Sequence, residues 1–87
     1  MKLQPVLEEL EGAAEKMLVR VRYEPLAASV GNGGLCKING EYRVIIDKRA
    51  SLAERVATLA RSLGRLDTSD VFLSPRARQT LERYASA

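Results

Sequence analysis

The chain is predicted to form one small α+β domain, a three-stranded sheet, antiparallel or mixed, backed by three helices. Three observations carry this. Asn39-Gly40 sits between two strand-like runs, and this pair suits the positive φ angles of a tight type I′ turn. Apolar residues recur at three- and four-residue steps in three other stretches, the signature of amphipathic helices. Strands and helices are grouped along the chain and do not strictly alternate, which separates this arrangement from a doubly wound sheet.

The first helix is expected over Pro5 to Leu18. Val6, Leu7, Leu10, Ala13, Ala14, Met17 and Leu18 form its apolar stripe, and Pro5 suits a first helical turn. Val19 to Tyr23 then changes to period two, with Val19, Val21 and Tyr23 on one side and two arginines on the other, ending at Pro25; this is a half-buried strand. Ala27 to Gly34 is small and glycine-rich and is expected to be a surface loop. In the pair of strands around Asn39-Gly40, Leu35 should face Val44 and Lys37 should face Tyr42. Leu35, Tyr42, Val44 and Ile46 would then share a covered face, and Cys36, Ile38, Arg43 and Ile45 the other.

Ser51-Leu52-Ala53-Glu54 has the form of a capping box, in which hydroxyl and carboxylate satisfy the orphan N–H groups of a helix start. Leu52, Val56, Leu59, Ala60 and Leu63 form the stripe of this second helix, with Gly64 as its stop. After a turn at Asp67 to Asp70 and the apolar Val71-Phe72-Leu73, Ser74-Pro75 opens a third helix to Tyr84, facing inward through Ala77, Leu81 and Tyr84.

With 87 residues there is room for one core, so residues 1–87 are expected to be a single domain. The composition, 46% apolar and 29% charged, is that of a folded chain. The chain has no histidine and one cysteine. A zinc site of nitrogen and sulfur ligands cannot be assembled in one chain, and Ser-His or Cys-His nucleophilic pairs are excluded. No metal, cofactor or catalytic group is predicted, and the protein is expected not to be an enzyme. The lone cysteine gives no reason to place it in an oxidising compartment, and no apolar run has the length of a signal h-region or a membrane span, so a cytoplasmic location is expected. The net charge of +3 is uneven: residues 1–30 carry four basic and five acidic groups, residues 31–87 ten and six.

Val21 to Asp67, taken together, resembles a known family. A strand, Tyr23-Glu24-Pro25-Leu26, a glycine loop, Gly34-Leu35, a strand pair with Val44-Ile45-Ile46-Asp47, then Ser51-Leu52-Ala53-Glu54-Arg55 and Thr58-Leu59-Ala60 is similar to the N-terminal half of ImmA/IrrE-type zinc metallopeptidase domains. That family continues with H-E-L-G-H, two zinc-binding histidines one turn apart and a glutamate that activates water. Here the residues are Arg61-Ser62-Leu63-Gly64-Arg65. The resemblance therefore implies a pseudoenzyme that keeps a scaffold, and the family's part in regulating transcription factors implies binding of a protein.

Arg61, Ser62 and Arg65 are accordingly candidate partner-binding residues, joined by Arg76 and Arg78 on the third helix. An unpaired strand edge, in the first strand or the strand pair, offers the mechanism: an extended peptide adds as a further strand, and Arg61 and Arg65 select an acidic one. Self-pairing of that edge into a homodimer is a second use. The plain alternative for Arg61 is a solvated face with a pairing to Asp67 or Glu54. The competing class is nucleic-acid binding through Arg61, Arg65, Arg76, Arg78 and Arg83; Glu82, Asp67 and Asp70 interrupt that patch, and no stacking motif accompanies it. Gly31 to Gly34 lacks the Gly-Lys-Ser/Thr of a phosphate loop, and Cys36 is expected to be a half-buried packing residue.

Overall fold

The computed structural model describes residues 2–26 and 33–85. In order, these form α1 (Leu3–Lys16), β1 (Arg20–Glu24), β2 (Gly33–Ile38), β3 (Glu41–Asp47), α2 (Leu52–Leu63) and α3 (Pro75–Ala85). The fold is α+β with a mixed sheet of order β1-β3-β2. β1 runs parallel to β3, with Val21 opposite Val44; β2 runs antiparallel to β3, with Leu35 opposite Val44 and Lys37 opposite Tyr42. Asn39 and Gly40, at φ 51 and 83, connect β2 to β3. β3 is the central strand, so β1 and β2 each have one edge unpaired among the described residues.

Alternation along the strands sorts the two faces of the sheet. Val44 and Ile46 are fully buried, and Val21, Tyr23, Leu35 and Tyr42 pack on the same core beneath α1 and α2. Arg20, Arg22, Arg43, Ile45, Cys36 and Ile38 lie on the uncovered face. The core of the helical layer comes from Val6, Leu7 and Leu10 of α1, Val56, Leu59 and Leu63 of α2, and Ala77 and Leu81 of α3. α2 lies centrally, against both other helices and the sheet.

Local signals hold at several ends. The capping box closes at α2: Ser51 Oγ accepts from the Glu54 amide at 3.2 Å, and the Glu54 carboxylate accepts from the Ser51 amide at 2.7 Å. Ser74 Oγ accepts from the Ala77 amide at the start of α3. Two expectations are corrected, the end of α1 and the placing of Gly33 and Gly34 in a loop. α1 ends at Lys16, and Leu18 takes φ 61 and is 84% exposed. The Val19 amide bonds back to the Ala14 carbonyl at 2.9 Å, so the chain leaves the helix through a left-handed residue that delivers Val19 to the core. α2 stops at Gly64 as expected, with φ −65 in place of a left-handed cap, and a Cβ there would lie 2.4 Å from that of Ala85. Gly33 and Gly34 belong to β2, opposite Ile46 and Ile45, while residues 27–32 of the expected loop lie outside the described residues.

One contact ties the first helix to the last. The Glu9 carboxylate accepts from both the amide and the hydroxyl of Ser74. The Ser74 amide bond, then its hydroxyl, hold Glu9 below the ordinary value of 4.5, with burial opposing and the Arg76 charge assisting. Because the folded pKa lies lower than the unfolded one, this contribution to stability is complete above about pH 4.5 and is lost as pH falls through the folded pKa. Asp47 and Asp67, lowered mainly by bonds from Arg49 and Ser69 respectively, act in the same direction. Acid titration of thermal stability is expected to show a Glu9→Gln variant with a shallower fall below pH 4.5 than the parent; parallel curves would remove Glu9 from the acid limb.

Candidate functional site

Three of the candidate residues come together beside the edge of β2. Arg61 and Arg65 lie one turn apart on and just after α2, so their side chains share a face. With Thr58 and Ser62 they border a cleft of 220 Å³ whose other wall is Gly33, Gly34 and Leu35. Gly33 is exposed and Gly34 half-buried. No guanidinium ion pair or hydrogen bond of Arg61 or Arg65 occurs among the described residues. Asp67 accepts from the Ser69 amide, and the Glu54 carboxylate from that of Ser51.

Ser62 belongs to the cleft floor and offers no open hydroxyl. It is 3% exposed, and its Oγ donates to the Thr58 carbonyl at 2.7 Å. A side chain bonded back to its own helix satisfies itself.

Arg76 and Arg78 stand elsewhere. The Arg78 guanidinium donates to Thr68 Oγ1 at 2.8 Å and to the carbonyls of Thr68 and Val71, clamping the α2–α3 connection onto α3. Arg76 stands near Glu9 and borders a separate 90 Å³ hollow with Gln79, Thr80 and Arg83. The sequence could not show this division, because the three loop groups that engage Arg78 carry no pattern that marks them as acceptors.

Two further surfaces border the sheet. A groove of 560 Å³ follows the unpaired edge of β1 beneath Glu11 and Glu15 of α1. Tyr23 stands at its inner wall: its hydroxyl donates to Glu11, and the Arg55 guanidinium lies 5.1 Å from its ring centre. Burial, then the bond to Glu11, push the Tyr23 phenol well above its ordinary value, so it remains a neutral donor. The signal was present in the sequence as Glu11 and Glu15 on one helical face, but their distance from β1 is tertiary information.

The uncovered sheet face is the second. It carries Arg20, Arg22 and Arg43 beside Ile45 and Cys36, and the Arg43 Nε is buried with no hydrogen-bond partner among the described residues. Arg20 pairs with Glu41 at 3.0 Å and Arg22 with Glu24 at 3.6 Å. Tyr23 and Tyr42 point to the opposite face, where Lys37 covers the Tyr42 ring at 5.0 Å. The face therefore has cations without an aromatic platform for bases.

Among the described residues no group of three His, Cys, Asp or Glu side chains is placed to hold a metal ion, and no helix is long and apolar enough to cross a membrane. Compared with family models, with curated proteins and with solved structures, the chain gives no match.

Proposed function

We propose that the protein acts by binding another protein, taking an extended acidic segment as an added strand along the unpaired edge of β2. One observation carries the reading: the unpaired edge at Gly33, Gly34 and Leu35 faces Arg61 and Arg65, two cations with no partner among the described residues. Main-chain bonds to β2 supply sequence-tolerant affinity, and the arginines select for carboxylates on the side chains that point toward α2. No proton transfer or nucleophile enters this function. The resemblance to ImmA/IrrE-type domains supports the same cleft, since Arg61, Ser62 and Arg65 stand where that family carries its metal motif, which fits a pseudoenzyme that has kept a protein-binding role.

Nucleic-acid binding is the weaker reading. Its patch would need Arg76 and Arg78 alongside Arg61 and Arg65, and Arg78 is already committed to the α2–α3 connection.

The test is fluorescence anisotropy with a labelled extended peptide bearing Glu at alternate positions, set beside its Lys counterpart. The acidic peptide is expected to bind, and the Arg61→Glu, Arg65→Glu variant to lose about tenfold or more in affinity, with salt weakening the parent interaction. Amide shifts in the parent should concentrate on Gly33 to Ile38. Equal binding of both peptides, or an affinity untouched by the double reversal, would sink the proposal.

A further inference from the structure

The two edges of the sheet answer each other in charge. The β2 edge lies beside Arg61 and Arg65. The β1 edge lies in the larger groove beside Glu11 and Glu15, with the exposed Leu18 at its mouth. We infer that the segment taken by the β2 edge is the β1 edge of a second copy of this chain, so that copies join head to tail through one continuous sheet. The inference rests on the reading of the β2 edge given above and names its occupant, with the carboxylates supplied by Glu11 and Glu15 of α1 and not by β1 itself, whose sequence is Arg20-Val21-Arg22-Tyr23-Glu24.

Charge first decides between modes of self-pairing. A twofold pairing of β1 with β1 would set Glu11 and Glu15 against their own counterparts, and β2 with β2 would set Arg61 and Arg65 against theirs. Like charges at such contacts are unfavourable. Arg20 and Arg22 also line the β1 groove, but they lie on the opposite face of the sheet and pair within their own copy with Glu41 and Glu24; on the helix side, β1 with β2 is the pairing that brings opposite charges together. The spacing also agrees, since Glu11 and Glu15, like Arg61 and Arg65, stand four residues apart and so present two charges one helical turn apart.

The register agrees independently. Within one molecule, Leu35, Val44 and Val21 form a row that crosses all three strands on the helix-covered side. Because β1 is parallel and β2 antiparallel to β3, a second copy added in the same orientation pairs its β2 antiparallel to β1. With its Leu35 opposite Val21, the apolar row continues without a break. Tyr23 then falls opposite Gly33 of the neighbouring copy and Val19 opposite its Lys37. Glu11, bonded to the Tyr23 hydroxyl, is thereby level with the cleft that Gly33 lines together with Arg61 and Arg65. Lys37 of the neighbour approaches the end of α1 that carries Glu15.

Such a contact uses a different surface on each copy and leaves a β1 edge and a β2 edge exposed at the two ends. It does not close on itself, and assemblies lengthen with concentration.

Sedimentation velocity on the full chain from about 10 µM to about 1 mM, a range suited to weak edge contacts, tests this. The mean mass is expected to rise from 9.6 kDa past that of a dimer, and to fall back at high salt. The Arg61→Glu, Arg65→Glu variant and a separate Glu15→Lys variant, each verified as folded by circular dichroism, should remain monomeric alone. Mixed in equal amounts they should associate again, because the unaltered arginine edge of one still meets the unaltered glutamate edge of the other. A parent that stays monomeric throughout, or a closed dimer indifferent to both reversals, overturns the inference. If the parent stays monomeric while the acidic peptide still binds the β2 edge, head-to-tail assembly falls and the protein-binding function stands. If neither occurs, both fall.

Discussion

Replacing Gly33 with alanine is expected to cost about 3 kcal/mol of stability or more, combining a strained backbone with an overpacked contact. Gly33 holds φ 107, and a Cβ built there would lie 1.8 Å from the Ile45 carbonyl oxygen and 2.7 Å from its carbon. Those atoms belong to the central strand, so no flexible side chain can move aside. Either β2 shifts away from β3 or its first residue abandons the ladder. A domain of this size typically has about 5 to 10 kcal/mol in hand, so the loss should appear as a large fall in the urea midpoint. Gly34 is the control: a Cβ placed on it would meet nothing within 4 Å, and Gly34→Ala is expected to change stability by about 0.5 kcal/mol or less. Equal costs at the two positions would contradict the ladder geometry. Because Gly33 also walls the Arg61 cleft, Gly33→Ala should weaken capture of an acidic segment even where it remains folded.

Leu59→Ala is expected to cost about 3 kcal/mol, within the range for a leucine truncated in a closed core. Leu59 has no exposed surface, and it lies at the middle of the helix that touches α1, α3 and the sheet. The hole left behind is walled by elements held from several directions and cannot collapse cheaply. Leu52 carries the same side chain on the same stripe but is only partly buried at the first turn of α2. Its truncation is expected to cost about 1 kcal/mol, in proportion to the smaller apolar area it removes from water. Chemical denaturation of the two variants side by side checks the ratio, and similar losses would show that α2 is not the central element of the core.

That pair also shows what periodicity can and cannot express. The three- and four-residue spacing identified the buried stripe of α2 and of α1, because burial of one helical face repeats with the helix itself. Periodicity gave Leu52 and Leu59 equal standing, since it has no knowledge of which turn lies under another helix. The capping box at Ser51 and Glu54 was legible for a similar reason: donor and acceptor are three residues apart and need no other part of the chain. Leu18 was misplaced because the demand on it comes from outside the helix. The stripe continues through position 18, but the chain must turn there to bring Val19 inward, and the left-handed residue is left in solvent.

At the candidate site the division is similar. Arg61 and Arg65 were recognisable as a pair because one helix turn joins them. Nothing local showed that they stand beside an open strand edge, that the Ser62 hydroxyl is turned back on Thr58, or that Arg78 is engaged by the connection before α3. The opposite charge of the two sheet edges was equally hidden, since Glu11, Glu15, Arg61 and Arg65 acquire their meaning from the order β1-β3-β2.

The linear order of residues was enough to establish an α+β chain with its helix faces, its strand alternation and the absence of histidine chemistry, all properties set by neighbours a few positions apart. The parallel pairing of β1 with β3, the two unpaired edges and the partners of each arginine were settled only on folding. Those depend on contacts between distant segments, whose energies come from burial and proximity in space and leave no short-range pattern in the chain.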